Sequence, residues 1–169
     1  RRDAIDGQKM ADILAADHPS ITFDLLPSSR HRLWYALATG VRASLDYWRY
    51  LDARWDHSDK LRARGAEQAP AFAIALARMP GLRTRAGLAL LRRLFRAIER
   101  VLPPPDEIAE VFRRIDPDVL LLTPLLYFRS HQVDHVRCAR QLGIKSVLGV
   151  GSWDHLTTKG LIHEVPDRV

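Results

Sequence analysis

A chain of 169 residues, 47% apolar and 27% charged, can bury one hydrophobic core and is too apolar for a disordered tail. Its longest nearly continuous apolar run, residues 119–128, is broken by Thr123 and Pro124, whereas a membrane-spanning helix needs about 20 apolar residues. The net charge of +6 is concentrated: residues 78–100 hold seven arginines against one acid, Glu99, so the remainder is close to neutral.

Residues 1–6 are charged and lead into no apolar signal segment, and the chain does not begin with Met. We read it as a piece of a longer protein. The single cysteine, Cys138, excludes an internal disulfide, and no Cys/His spacing suggests a structural zinc, which points to a reducing, cytoplasmic setting. Four residues before Leu142 in a helical stretch, Cys138 reads as a small buried apolar residue. Arginine outnumbers lysine 22 to 4, a bias that reflects a GC-rich genome as readily as a binding surface.

In chain order, residues 6–16 place Met10, Ile13 and Leu14 on one helical face. His18-Pro19 ends that helix before a short apolar strand at 21–26, closed by Pro27. From 29 to about 53, Leu33, Trp34, Leu37, Val41, Leu45, Trp48 and Leu51 recur every three or four residues, predicting a helix buried along one side, with Ser28 or Ser29 as its cap. A weaker helix over 60–78 is interrupted by Pro70 and closed by Pro80-Gly81. Residues 83–102 predict a basic amphipathic helix. Leu91, Leu94, Phe95, Ile98 and Val101 or Leu102 share its inner face, while Arg92, Arg93, Arg96 and Arg100 lie largely off it. Pro103-Pro104-Pro105 ends this helix, and Asp106 caps a short one through 113.

The last third is the most regular. Val119-Leu120-Leu121-Leu122-Thr123 is a continuous apolar run of the kind covered on both faces in parallel sheets. A helix over 130–142 turns Val133, Val136 and Ala139 inward, Gly143 closes it, and 144–150 form the next strand. This is a βαβ unit. Residues 166–169 look like the opening of a further strand. The expected fold class is therefore α/β: a truncated, Rossmann-like parallel sheet of three to four strands, carrying a large helical insertion over 29–114. The whole of 1–169 forms one incomplete domain.

Ligands of open α/β sheets bind beyond the carboxyl ends of the strands, here 123–130 and 151–160. The second loop gathers Ser152, Trp153, Asp154, His155, Thr157, Thr158 and Lys159. Asp154 can orient or deprotonate a hydroxyl, His155 can do the same near neutral pH, and Thr157, Thr158 and Lys159 can contact phosphate. The bland alternative makes Asp154 a helix cap, packs Trp153 under the sheet edge and leaves Lys159 solvated. At the start of the 130–142 helix, Ser130 is the expected cap, with His131 and Gln132 in the first turn, whose free backbone N–H groups can meet an anion or a sugar hydroxyl. His131 and His135 stand at i and i+4, but no third ligand accompanies them and we assign no metal site. The arginine helix reads as a solvated face or as a contact for an anionic membrane surface. No nucleic-acid motif accompanies it, which argues against nucleic acid.

Asp116-Pro117-Asp118-Val119-Leu120-Leu121-Leu122-Thr123-Pro124, then Gln132-Val133-Asp134, Gly143-Ile144, Ser152-Trp153-Asp154-His155-Leu156-Thr157-Thr158-Lys159-Gly160 and Pro166-Asp167-Arg168-Val169, resemble bacterial glycosyltransferase-like proteins of cell-surface carbohydrate synthesis, which have the two-domain GT-B fold. The resemblance implies an amino-terminal, acceptor-side domain of a nucleotide-sugar-dependent transferase acting on a carbohydrate or lipid-linked acceptor. Asp154 and His155 would be its catalytic candidates. Ser130, Gln132, Asp134, Ser152, Trp153, Thr157, Thr158 and Lys159 would bind substrate. It implies no cofactor, since the nucleotide-sugar is a substrate held mainly by a second half that is absent, and the 169 residues alone should show no transfer. Other readings are a sugar-nucleotide epimerase-like or non-catalytic carbohydrate- or nucleotide-binding relative, and a peripheral module at the inner membrane face acting through Arg92, Arg93, Arg96 and Arg100.

Overall fold

Helices dominate because most of the apolar residues recur at helical rather than strand spacing. The computed structural model describes residues 12–22, 32–123 and 127–169. In chain order it comprises a first helix over residues 12–17 (α1), α2 (Arg32–Arg49), a 3-10 turn at Ala53–Trp55, α3 (Asp59–Gln68), α4 (Ala71–Arg78) and α5 (Arg85–Val101). There follow α6 (Asp106–Ile115), β1 (Val119–Leu122), α7 (Gln132–Gln141), β2 (Lys145–Leu148) and the single turn α8 (His155–Thr158). Helical residues make up 59% of those described.

The expectation of a three- to four-stranded Rossmann-like sheet is overturned. Among the described residues the sheet has two parallel strands, β1 and β2, with Val119 opposite Lys145 and Leu122 opposite Leu148. The expected strand at 166–169 is reduced to one parallel bridge, Val147 to Arg168, made by Leu148 N–H to the Arg168 carbonyl and Arg168 N–H to the Ser146 carbonyl. Pro166 lacks the N–H that would lengthen this pairing. Residues 21 and 22 are not in a strand, and 23–26 lie outside the described residues, as do Ser28 and Ser29. Nor is β1 covered on both faces. Leu122 is buried, whereas Val119 and Leu121 are more than half exposed.

The core instead forms around α2. Its first half leaves Leu33, Trp34 and Leu37 exposed, but from Val41 to Trp48 every residue is buried, whichever face of the helix it occupies. A one-sided helix was expected; neighbours on all sides make this half a central one. Val41, Leu45 and Trp48 pack with Ala73 and Ala77 of α4 and with Leu88 and Leu91 of α5. Trp48 donates its indole N–H to the Ala73 carbonyl (3.0 Å) and meets Phe95 edge to face at 4.7 Å. That geometry suits the ring quadrupole and satisfies the buried polar atom.

Local chemistry marks several boundaries. Pro70 separates α3 from α4 and stands at the N-cap of the latter. Thr84 caps α5 by accepting the Gly87 N–H (3.1 Å), and Gly87 has no room for a Cβ, which would come within 2.3 Å of the Gly81 carbonyl oxygen. Pro105, rather than the expected Asp106, is the N-cap of α6. Gly143, at φ +76°, makes the left-handed turn from α7 into β2.

A second core joins β1, α7 and β2 through Leu122, Val133, Val136 and Leu148, and a third joins α6 to α7 through Ile108, Phe112, Cys138 and Ala139. Cys138 is fully buried there. Among the described residues no helix is long and apolar enough to cross a membrane.

Candidate functional site

The loop after β2 folds into the α8 turn and arranges its polar side chains around Asp154. Ser152 Oγ donates to Asp154 Oδ1 (2.5 Å), Thr158 Oγ1 approaches Oδ2 (3.2 Å), and Lys159 Nζ stands 3.7 Å from Oδ2. The Ser152 bond above all, with Thr158 and the Lys159 and His155 charges, holds the Asp154 carboxyl below its usual range, against the opposing effect of desolvation. The carboxylate stays ionised at neutral pH. Its side chain keeps 31% of its surface open, so an outside hydroxyl can still donate to it. Asp154 does occupy the N-cap position of α8, but its side chain makes no capping bond.

The loop after β1 reaches the same place through Tyr127, which the sequence reading passed over. Its ring lies 6.1 Å from that of His155, and Lys159 Nζ sits 5.6 Å over it. Carboxylate, imidazole, ammonium and phenol thus converge beyond the carboxyl ends of the two parallel strands. Trp153 does not pack under the sheet; it is 86% exposed beside Asp154. Thr157 is exposed and bonds the Asp154 carbonyl at 3.2 Å. The one readable signal for Tyr127 was an aromatic in a loop leaving a strand.

Other predicted binding residues serve the fold. Ser130 Oγ accepts the Gln132 N–H (3.3 Å), and Gln132 Nε2 donates to the Thr123 carbonyl (3.2 Å), tying the start of α7 to the end of β1. His131, not Ser130, stands at the N-cap. Asp134 faces the interior, where Arg42 Nη2 and Nη1 donate to its two oxygens at 2.7 and 3.3 Å. It is therefore withdrawn from substrate. His131 accepts or donates a bond with the Tyr35 hydroxyl (3.3 Å), while His135 is buried, its Nδ1 3.1 Å from the His131 carbonyl. Burial pushes the His135 imidazole toward the neutral form. Among the described residues no group of three or more His, Cys, Asp or Glu is placed to hold a metal.

On α5, Arg92 turns inward, donating to the Trp48 carbonyl and pairing with Asp52 at 3.7 Å, so it leaves the outer face where sequence had put it. Arg93, Arg96 and Arg100 are exposed. Leu94, expected inside, is 52% exposed, and of the alternatives Val101 and Leu102 it is Leu102 that is buried.

The largest polar constellation was not anticipated. Arg42 and Asp46 of α2, Glu99 of α5, Asp134 of α7 and His163 form a buried chain of charges. Arg42 Nε donates to Glu99 Oε1 (2.8 Å); His163 places Nδ1 3.2 Å from Glu99 Oε2 and Nε2 3.1 Å from Asp46 Oδ1, which also accepts the Leu161 N–H (2.6 Å). Burial alone would lower the His163 pKa, but the two carboxylates outweigh it and raise it to about 9. Burial likewise opposes ionisation of Glu99, and His163 and Arg42 together hold its pKa below the ordinary value. This network stitches the helical core to α7 and the final segment. It is buried, and most of its polar atoms are engaged with one another, which suits a structural role.

No family model matches the chain, and neither a curated protein nor a solved structure matches it.

Proposed function

We propose that this chain supplies the acceptor side of a nucleotide-sugar-dependent transferase of carbohydrate or lipid-linked acceptors, with Asp154 as the residue that receives the acceptor hydroxyl. The carrying observation is the ionised, accessible Asp154 carboxylate, oriented by Ser152, Thr158 and Lys159 at the carboxyl end of β2. Trp153 and Tyr127 beside it offer aromatic faces against which the apolar face of a sugar ring can pack. A carboxylate held this way orients the hydroxyl and takes its proton as the bond to the sugar forms. In the full-length protein, Asp154→Asn should lower turnover by at least the roughly 10²-fold typical of general-base loss, read as nucleoside diphosphate release from a panel of nucleotide-sugars. Turnover within a factor of about three of the parent removes Asp154 from the reaction.

A second reading rests on α5. Leu90, Leu94 and Val101 form an exposed apolar stripe, with Arg93 and Arg100 on the same solvent side. Such a helix can lie on an anionic bilayer, its leucines in the headgroup boundary and its arginines on lipid phosphates. Co-sedimentation with vesicles containing phosphatidylglycerol should retain the chain, and Leu90→Gln with Leu94→Gln should release it. Equal retention by neutral phosphatidylcholine vesicles removes the electrostatic contribution.

A further inference from the structure

Between α2, α5 and the segment after α8 lies a cavity of about 400 Å³ whose ionisable lining is Arg49, Arg54, Arg92 and Arg96 against a single carboxylate, Asp52. Its apolar walls are Leu45, Leu156 and Leu161. The volume lies within the range of small-ligand pockets.

Three of the arginines are already oriented. Arg49 donates to the carbonyls of Leu156, Thr157, Lys159 and Gly160 at 3.1 to 3.4 Å and lies over Trp55 at 5.2 Å. Arg92 is held by the Trp48 carbonyl and Asp52, yet its Nε is buried with no partner. Arg54 shares Asp52, with Nε 3.3 Å from Oδ1, and its side chain is 73% exposed at the rim. Arg96 makes no hydrogen bond or ion pair with any described residue and lines both this cavity and an adjoining one of about 350 Å³.

In the adjoining cavity Arg140 is paired with Glu164, Glu99 and His163 belong to the buried network, and Arg100 adds a further guanidinium, so the larger surplus of positive charge lies on the first side. Four guanidinium groups around one carboxylate repel one another unless an anion joins them. Planar guanidinium forks match phosphate oxygens in pairs, and a group with two linked phosphates can engage several forks at once.

We propose that this cavity is a binding site for a diphosphate group, carried by a nucleoside diphosphate or by a lipid-linked diphosphate, with Arg96 and Arg54 closing on it and Arg49 and Arg92 forming its positive wall. The site is distinct from Asp154, although Leu156 and Gly160 of its wall belong to the same loop, and it stands whether or not the chain transfers sugar.

Calorimetric titration of the chain with inorganic diphosphate tests this. One saturable site is expected, weakened about tenfold or more by Arg96→Ala and by Arg54→Ala and changed less than about twofold by Arg93→Ala, which alters the same net charge on α5 but lines neither cavity. Thermal melting of each variant checks that the fold persists. Parallel titrations with uridine diphosphate and farnesyl diphosphate identify the source, since the correct carrier binds more tightly than inorganic diphosphate. Absence of saturable binding up to about 10 mM inorganic diphosphate, or equal weakening by Arg96→Ala and Arg93→Ala, overturns the proposal.

Discussion

Arg42→Ala is expected to cost about 3–5 kcal/mol of folding stability, the range seen when one partner of a buried ion pair is removed. The guanidinium is 3% exposed and is the cation shared by Glu99 at 2.8 Å and Asp134 at 2.7 Å. Truncation leaves the Glu99 and Asp134 carboxylates facing a void, with Glu99 still bonded to His163. Since a domain of this size is stable by only about 5–15 kcal/mol, the loss should be plain in the urea midpoint of far-UV circular dichroism. Arg42→Lys should recover little, because an ammonium cannot present the fork that spans Glu99 and Asp134. By contrast, combining Arg42→Met with Asp134→Leu, which leaves Glu99 paired with His163, should restore part of the stability. A single Arg42→Ala variant within about 1 kcal/mol of the parent would show that the network does not hold α2, α5 and α7 together.

The second large effect is on the alkaline side. With its pKa raised to about 9 in the folded chain and near its ordinary value of about 6.5 when unfolded, His163 binds its proton more tightly in the native state. Its contribution is fully present below about pH 6.5 and is lost as pH rises through 9. The shift corresponds to about 3 kcal/mol, and burial between Asp46 and Glu99 leaves little solvent screening to reduce it. Stability should therefore fall between about pH 6.5 and pH 9, and His163→Gln should be less stable than the parent at pH 6 and nearly flat across that window. A parent curve without this alkaline decline would mean that His163 is neutral in the fold. Glu99 acts in the opposite sense. Its lowered pKa gives stability that is present above the ordinary carboxylate range and is lost as pH falls through the folded value.

Both predictions concern residues that local pattern did not single out. Arg42 and Asp46 stand at i and i+4 within a mostly apolar half-helix, and Glu99 is the lone acid of the basic stretch, so the residues were visible as exceptions. Their partnership was not, because Arg42 and Asp134 are 92 positions apart and His163 and Asp46 are 117 apart. The loop around Asp154 was legible for the converse reason. Ser152, Asp154, Thr158 and Lys159 lie within eight consecutive residues, and one helical turn suffices to bring them together. Only Tyr127 had to arrive from another loop. The sheet was overestimated because an apolar run reports that a segment can be buried, not that a neighbouring strand exists to pair with it.

Helix positions, the division of the 60–78 stretch at Pro70, the turn at Gly143 and the gathering of polar groups after β2 were decided by the sequence itself, since periodicity, missing N–H groups and left-handed turns act over a few residues. The exposure of Leu94 on α5, the withdrawal of Asp134 and Arg92 from solvent, the reduction of the sheet to two strands and the convergence of arginines on one cavity were decided by tertiary structure alone. These depend on which distant surfaces meet, and there the energies of desolvation and ion pairing, not local propensity, choose among arrangements that the same pattern of residues allows.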